Sequence, residues 1–162
     1  MQISLEQIFN IEGKKENFDY SFTPDYSLSD DFTLSSPVKF KGTVKNTAGI
    51  VTLNGQAAFT ANVICSRCAE EFSKSFSVNV EHTLVSELQN EDSDEFYLVE
   101  DKQLDLDVLI CEDIILSLPF VFLCKEDCKG ICSQCGKNLN EGECSCKSCV
   151  DPRLAALLEL LD

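Results

Sequence analysis

Basic residues are scarce in this chain: 13 lysines and arginines stand against 28 aspartates and glutamates, a formal net charge of −15. Nucleic-acid binders neutralise phosphates with a basic face, so this balance disfavours direct contact with RNA or DNA. It suits a basic protein partner, and it also simply keeps a protein soluble. Histidine is reduced to His82, set in the middle of an alternating stretch. A catalytic zinc draws on histidine or carboxylate ligands and keeps one position open, so a zinc enzyme is disfavoured and His82 reads as structural or surface. There is no Ser/His/Asp order, no H-E-x-x-H and no glycine-rich phosphate loop. The expectation is a protein without catalytic activity.

Long apolar runs are missing too. The longest, 108–123, is broken by Glu112, Asp113, Ser117 and Pro119, so it cannot span a bilayer. Gln2, Ile3, Ser4, Leu5 and Glu6 lack the basic-then-apolar pattern of a secretory signal. A cytoplasmic location without membrane contact is expected, where thiols stay reduced. Internal repeats and low-complexity tracts are absent.

What is present supports one packed core. Of 162 residues 44% are hydrophobic, and 11 are phenylalanine. Leu5, Ile8 and Phe9 share a helical face that Gly13 ends. Phe18, Tyr20 and Phe22 alternate as a strand up to Pro24, and 25–37 read as a loop. Val38, Phe40, Gly42 and Val44 alternate with Lys39, Lys41, Thr43 and Lys45, a half-buried strand with a lysine-bearing outer face. Asn46-Thr47-Ala48-Gly49 reads as a turn. Period-two patterning then runs from Val51 to Val63 and from Phe72 to Leu84, with Cys65-Ser66-Arg67-Cys68 at the connection. This predicts an antiparallel meander. An acidic break covers 86–95, and Phe96 to Val99 suggest a short strand. Asp105 or Asp107 caps a helix over about 108–118, so apolar that burial against the sheet is expected; Cys111 falls in its core. Pro119 ends it. Asp151-Pro152 opens a last short helix whose apolar face is Leu154, Leu157, Leu158 and Leu161. The fold class is therefore α+β. An antiparallel sheet with a buried helix forms domain 1–119, and a cysteine-rich zinc module with a terminal helix forms 120–162.

Seven of ten cysteines and three of seven glycines fall between 124 and 149. Without apolar periodicity this stretch cannot bury a core, so something else must order it. Structural zinc takes four ligands in a tetrahedron, often all thiolate. Cys132-Ser133-Gln134-Cys135 is a tight knuckle, and Gly136 after it permits positive φ beside a metal. Cys144 and Cys146 are the favoured partner pair, with Cys149 as a rival. Cys65, Cys68, Cys124 and Cys128 form a candidate second site; the alternative is four thiols at the edge of the fold. Four thiolates with one divalent cation leave −2, so metal does not make the segment cationic. A thioredoxin-like role for Cys65 and Cys68 needs a helix at the first cysteine, whereas a strand pattern follows.

Three stretches together resemble a known family: Ile64-Cys65-Ser66-Arg67-Cys68-Ala69-Glu70-Glu71-Phe72, Asp113-Ile114-Ile115-Leu116-Ser117-Leu118-Pro119, and 128–140 from Cys128-Lys129-Gly130 through Cys132 and Cys135 to Asn140. With the closing Asp151-Pro152-Arg153-Leu154, the chain is similar to the YceD family (DUF177) over most of its length. The resemblance implies a bacterial or chloroplast protein tied to accumulation of large-subunit (23S) ribosomal RNA, and so to ribosome assembly, with no enzymatic activity. It also implies that the Cys65–Cys68 pair occurs in relatives lacking the later cluster. Combined with the charge, the expected partner is a basic ribosomal protein or large-subunit assembly factor. The alternatives are direct rRNA binding through Lys39, Lys41 and Lys45, a thiol or zinc-dependent enzyme, and metal storage.

Overall fold

The computed structural model describes residues 1–24, 32–87 and 96–146. The acidic stretch 88–95, Cys149 and the helix expected after Asp151 lie outside the described residues.

Two 15-residue strands dominate, β5 (Ile50–Ile64) and β6 (Glu71–Val85). They pair antiparallel along nearly their whole length, from Val51↔Leu84 to Ile64↔Glu71. β4 (Val38–Thr47) flanks β5, and β2 (Lys15–Phe22) flanks β4, both antiparallel. The strict alternation in these strands sends one set of side chains to each face. Phe40, Val44, Leu53, Phe59, Val63, Val80 and Leu84 are buried on the inner face. The outer face carries Lys39, Lys41 and Lys45 beside Gln56, Asn54 and Thr52.

Four details depart from the sequence reading. The stretch read as a loop ends in a strand, β3 (Phe32–Leu34), paired with 61–63 of β5. β5 outlasts β4, so its edge needs another partner there, and buried Phe32 supplies the inward side chain. The hairpin turn is shorter than expected: Asn46 and Thr47 stay in β4, and Ala48 and Gly49 alone turn, with φ of 53° and 86°. That two-residue left-handed turn matches the twist of the flanking strands. Buried Asn46 instead donates to the Ile8 carbonyl at 2.7 Å and accepts from the Gly49 amide at 3.0 Å. Third, β7 (Phe96–Leu98) pairs with β6 in parallel, so the sheet is not wholly antiparallel. Fourth, β1 (Gln2–Ser4) and β8 (Gln103–Asp105), which carry no sequence signal, form a separate antiparallel pair.

Two α-helices and a 3-10 turn at Glu100–Lys102 complete the described elements. α1 (Glu6–Asn10) buries Ile8. α2 (Leu106–Ser117) begins where the Asp105 carboxylate accepts the Asp107 amide at 3.1 Å. It packs on β6 and β1, burying Leu106, Leu109, Ile110, Cys111 and Ile114. His82 of β6 bonds to the Asp113 carboxylate at 2.9 Å, a structural link between sheet and helix. The expected burial of α2 against the sheet holds for one side; on the other, Val108, Ile115 and Leu116 face solvent, Leu116 at 83% exposure. No described helix is long and apolar enough to cross a membrane.

Close packing around one ring sets two glycines. A Cβ on Gly42 would stand 2.5 Å from the Phe40 ring, and one on Gly55 2.6 Å. Both strands give up side chains so that Phe40 can lie flat across them.

Candidate metal centre

The β5–β6 connection is a knuckle. The Ala69 amide donates to the Cys65 carbonyl at 2.9 Å, and the Cys65 amide donates to the Glu70 carbonyl at 2.8 Å. The second knuckle repeats both bonds at the same spacing. The Gly136 amide donates to the Cys132 carbonyl at 2.9 Å, and the Cys132 amide donates to the Lys137 carbonyl at 2.8 Å. The residue after the second cysteine is left-handed in both, Ala69 at φ 57° and Gly136 at φ 71°. Glycine adopts this without strain; alanine tolerates it at about 1–2 kcal/mol, so the surrounding turn must hold it.

After α2 the chain returns to the first knuckle. Phe122 joins the aromatic cluster of Phe32, Phe59 and Phe76, its ring 6.0 Å from Phe76. The Ser66 amide donates to the Phe122 carbonyl at 2.8 Å. This anchor delivers Cys124 and Cys128 to Cys65 and Cys68. The four sulfurs lie within 4.8 Å of one another, with Cys65–Cys128 at 3.8 Å and Cys68–Cys124 at 3.6 Å. Four sulfurs around a tetrahedral ion at about 2.3 Å must sit about 3.8 Å apart, so these separations fit one metal. They are far beyond the ~2.05 Å of a disulfide. Cys65, Cys68 and Cys128 are buried, and Cys124 is half-buried. We call this the inner cluster.

The outer cluster is local in sequence. Cys132, Cys135, Cys144 and Cys146 also bring their sulfurs within 4.8 Å. Cys135 is exposed, and the other three are half-buried. The stretch between the clusters is stitched to the first knuckle. The Ile131 amide donates to the Arg67 carbonyl at 3.1 Å, and the Arg67 guanidinium donates to the Cys128 carbonyl at 3.0 Å. Both sets of four can therefore hold a metal ion. Cys111, buried in α2, belongs to neither.

Electrostatics within each cluster are split. Burial pushes the Cys65 thiol up, but amides of Cys124, Cys68 and Arg67 outweigh it and hold it at about 6. Amides of Cys135 and Gln134, with the Cys144 thiol, likewise hold Cys132 at about 6. Asn140, above all, lowers Cys128. The Glu70 amide pulls Cys68 down, yet burial and the thiols of Cys65, Cys124 and Cys128 carry it up to about 12. The Cys135 thiol and burial do the same to Cys146, up to about 12. Burial raises Cys124. Four thiolates this close cannot all ionise against one another; a divalent cation removes that conflict.

Sequence reasoning named all eight ligand candidates but missed Asn140, whose amide nitrogen donates to the Cys128 sulfur at 3.3 Å. An Asn eight residues after a knuckle's first cysteine has no distinctive signal of its own.

Comparison with known proteins agrees with the motif order. Residues 53–161 match the family described as large ribosomal RNA subunit accumulation protein YceD. The uncharacterized protein YlbN of Bacillus subtilis is 30% identical over 129 residues, 78% of this chain and 75% of that protein. Uncharacterized proteins of Mycobacterium tuberculosis and Mycobacterium bovis are 39% identical over 70 residues. That segment is 43% of this chain and 34% of theirs, so the match spans about a third of those relatives' length. No solved structure matches. With its knuckles, its α2 motif and two thirds of its length in register with the family, the chain belongs to the YceD (DUF177) family.

Proposed function

We propose that the chain is a cytoplasmic, non-enzymatic factor in large-subunit (23S) rRNA accumulation, stapled by structural zinc at one or both clusters. It acts by holding a basic ribosomal protein or large-subunit assembly factor. Family membership connects it to the large ribosomal RNA subunit, and the family description names an accumulation role rather than a reaction. Zinc is favoured for all-thiolate tetrahedral sites in which no position is left for a substrate.

The observation that carries the partner reading is the outer side of α2. Val108, Ile115 and Leu116 are exposed there around Glu112, and Phe120 and Val121 are exposed just beyond the helix end. Such an apolar strip on a chain of net charge −15 suits a basic partner that also carries apolar anchors. The test is affinity measurement against purified basic large-subunit ribosomal proteins, with wild type and a Leu116→Asp/Phe120→Asp variant. One protein should bind at moderate salt, at least about tenfold more weakly to the variant. Binding of naked 23S rRNA alone, with no basic protein retained, would refute the proposal.

One observation favours a second reading. Lys15, Lys39, Lys41 and Lys45 stand on the same open sheet face, Lys15 directly opposite Lys45. Asp19 offsets part of this charge, 3.4 Å from Lys41. Direct rRNA contact there predicts affinity that falls steeply with salt and is lost when Lys39, Lys41 and Lys45 become Glu. The face carries no aromatic side chain among Asn17, Asp19 and Ser21 of β2 or Thr52, Asn54 and Gln56 of β5, so it offers single-stranded bases no stacking platform there.

A further inference from the structure

The two clusters are joined by one side chain. Asn140 lies in the loop bracketed by Cys135 and Cys144 of the outer cluster, yet its amide reaches the inner one. Its Nδ2 donates to Cys128 Sγ at 3.3 Å and to Asn138 Oδ1 at 2.9 Å. Its Oδ1 accepts the Lys129 amide at 2.9 Å, and its own amide donates to Asn138 Oδ1 at 3.0 Å. The Leu139 amide donates to the Gly130 carbonyl at 2.8 Å, and Ile131 pairs with Asn138. The outer loop is thus folded back so that an N–H points at an inner-cluster sulfur.

An N–H aimed at a metal-bound thiolate disperses negative charge that would otherwise repel its three neighbours; outer partners of this kind typically change metal affinity by about 10–100-fold. Asn140 can serve only while its loop is held in place. Cys135 and Cys144, on either side of that loop, hold it when the outer cluster closes on an ion. Filling the outer cluster therefore removes in advance the entropy of positioning Asn140 for the inner one. Linkage makes the effect reciprocal: an occupied inner cluster must favour the outer by the same factor.

We infer that the two metal sites are thermodynamically coupled and load cooperatively, with Asn140 as the positioning residue that transmits the coupling. This rests on the reading that both clusters bind metal. In the full chain loaded with cadmium, cadmium NMR should give one resonance per site, assigned by their loss in Cys65→Ser and in Cys144→Ser/Cys146→Ser. Chelator competition followed on each resonance measures each affinity. Asn140→Ala should shift the inner resonance and weaken inner-site affinity about tenfold. The Cys144→Ser/Cys146→Ser variant should weaken the inner site by a similar factor, and adding Asn140→Ala to it should weaken it no further. Asn140→Asp keeps the acceptor for Lys129 but has no donor for Cys128. It should reproduce the Ala loss, and it serves as the readout if Asn140→Ala also abolishes the outer resonance. Unchanged inner affinity without the outer ligands, or fully additive losses, overturns the coupling while leaving two metal sites. Absence of any bound cadmium or zinc overturns the metal reading and the coupling with it.

Discussion

The sheet region and the cysteine region solve the same problem by opposite means. Up to about residue 118 the chain is ordered by apolar burial, with Phe40, Leu53, Leu84, Leu109, Ile110 and Ile114 essentially inaccessible. Between 123 and 146 the main core of the sheet has no member; the buried residues are Gly130 and Cys128, the latter in a small cluster with Cys65 and Cys68 against which Leu123 packs. Order there rests on knuckle hydrogen bonds and on sulfurs gathered at metal-binding distance. Burial is cumulative and tolerates local losses. A sulfur cluster is all-or-none, because three ligands close a site much less well than four and thiolates left without a cation repel one another.

The largest expected effect sets the two regions apart outright. Structural zinc contributes about 10–16 kcal/mol in small zinc-finger peptides, so strong chelation should collapse the cysteine region while the sheet persists. Hydrogen exchange checks this: amides of Ile131, Cys132 and Gly136 should lose protection, and those of β5 should keep it. Loss of β5 protection at the same chelator concentration would erase the distinction. Acid should act in the same direction. Cys68 and Cys146, pushed up to about 12, keep their protons near neutrality and must release them when metal binds. Cys65 and Cys132, held at about 6, are largely ionised already and regain protons only below that. Metal affinity should therefore fall steadily from about pH 8 to about pH 5, with the steepest loss below 6. A flat pH profile of zinc affinity would contradict the thiolate assignment.

A smaller effect tests the sheet region alone. Leu109→Ala empties a site 1% exposed and should cost about 2–5 kcal/mol of unfolding stability. Zinc content per chain should not change. A variant that folds with half the metal would show that the regions share one core.

The smallest effect is a helix cap. Asp105→Ala removes the carboxylate that accepts the Asp107 amide and should cost about 1 kcal/mol in denaturant unfolding. Metal affinity should again stay constant. A shift in chelator midpoint would mean that α2 geometry sets how Cys124 reaches the first knuckle.

Much of this was legible in the residues. Alternation from Val51 to Val63 and from Phe72 to Leu84 places β5 and β6 because a strand's side-chain period is two whatever its surroundings. The sequence leaves Asp105 or Asp107 as the cap of α2 and the structure uses Asp105, while Pro119 marks its end for a local reason. What failed is informative. The sequence places α2 against the sheet but does not separate its covered side from Val108, Ile115 and Leu116, because these apolar residues widen the stripe and only the sheet decides which of them is covered. The parallel placement of β7 and the pairing of β1 with β8 join segments far apart in the chain, and short stretches such as Gln2–Ser4 hold no periodicity to announce them.

The candidate metal centre divides the same way. Cys132–Cys135 with Gly136, and Cys65–Cys68 with its connection between strands, are fixed by chain chemistry, since a knuckle closes on backbone bonds within six residues. That Cys65 and Cys68 meet Cys124 and Cys128 was decided only when α2 and the Phe122 anchor brought the chain back across more than fifty residues. Asn140 was decided later still, by a loop folding back onto a sulfur it does not neighbour in sequence. Spacing encodes how a chain turns on itself locally. Which turns then converge depends on the packing of everything between them.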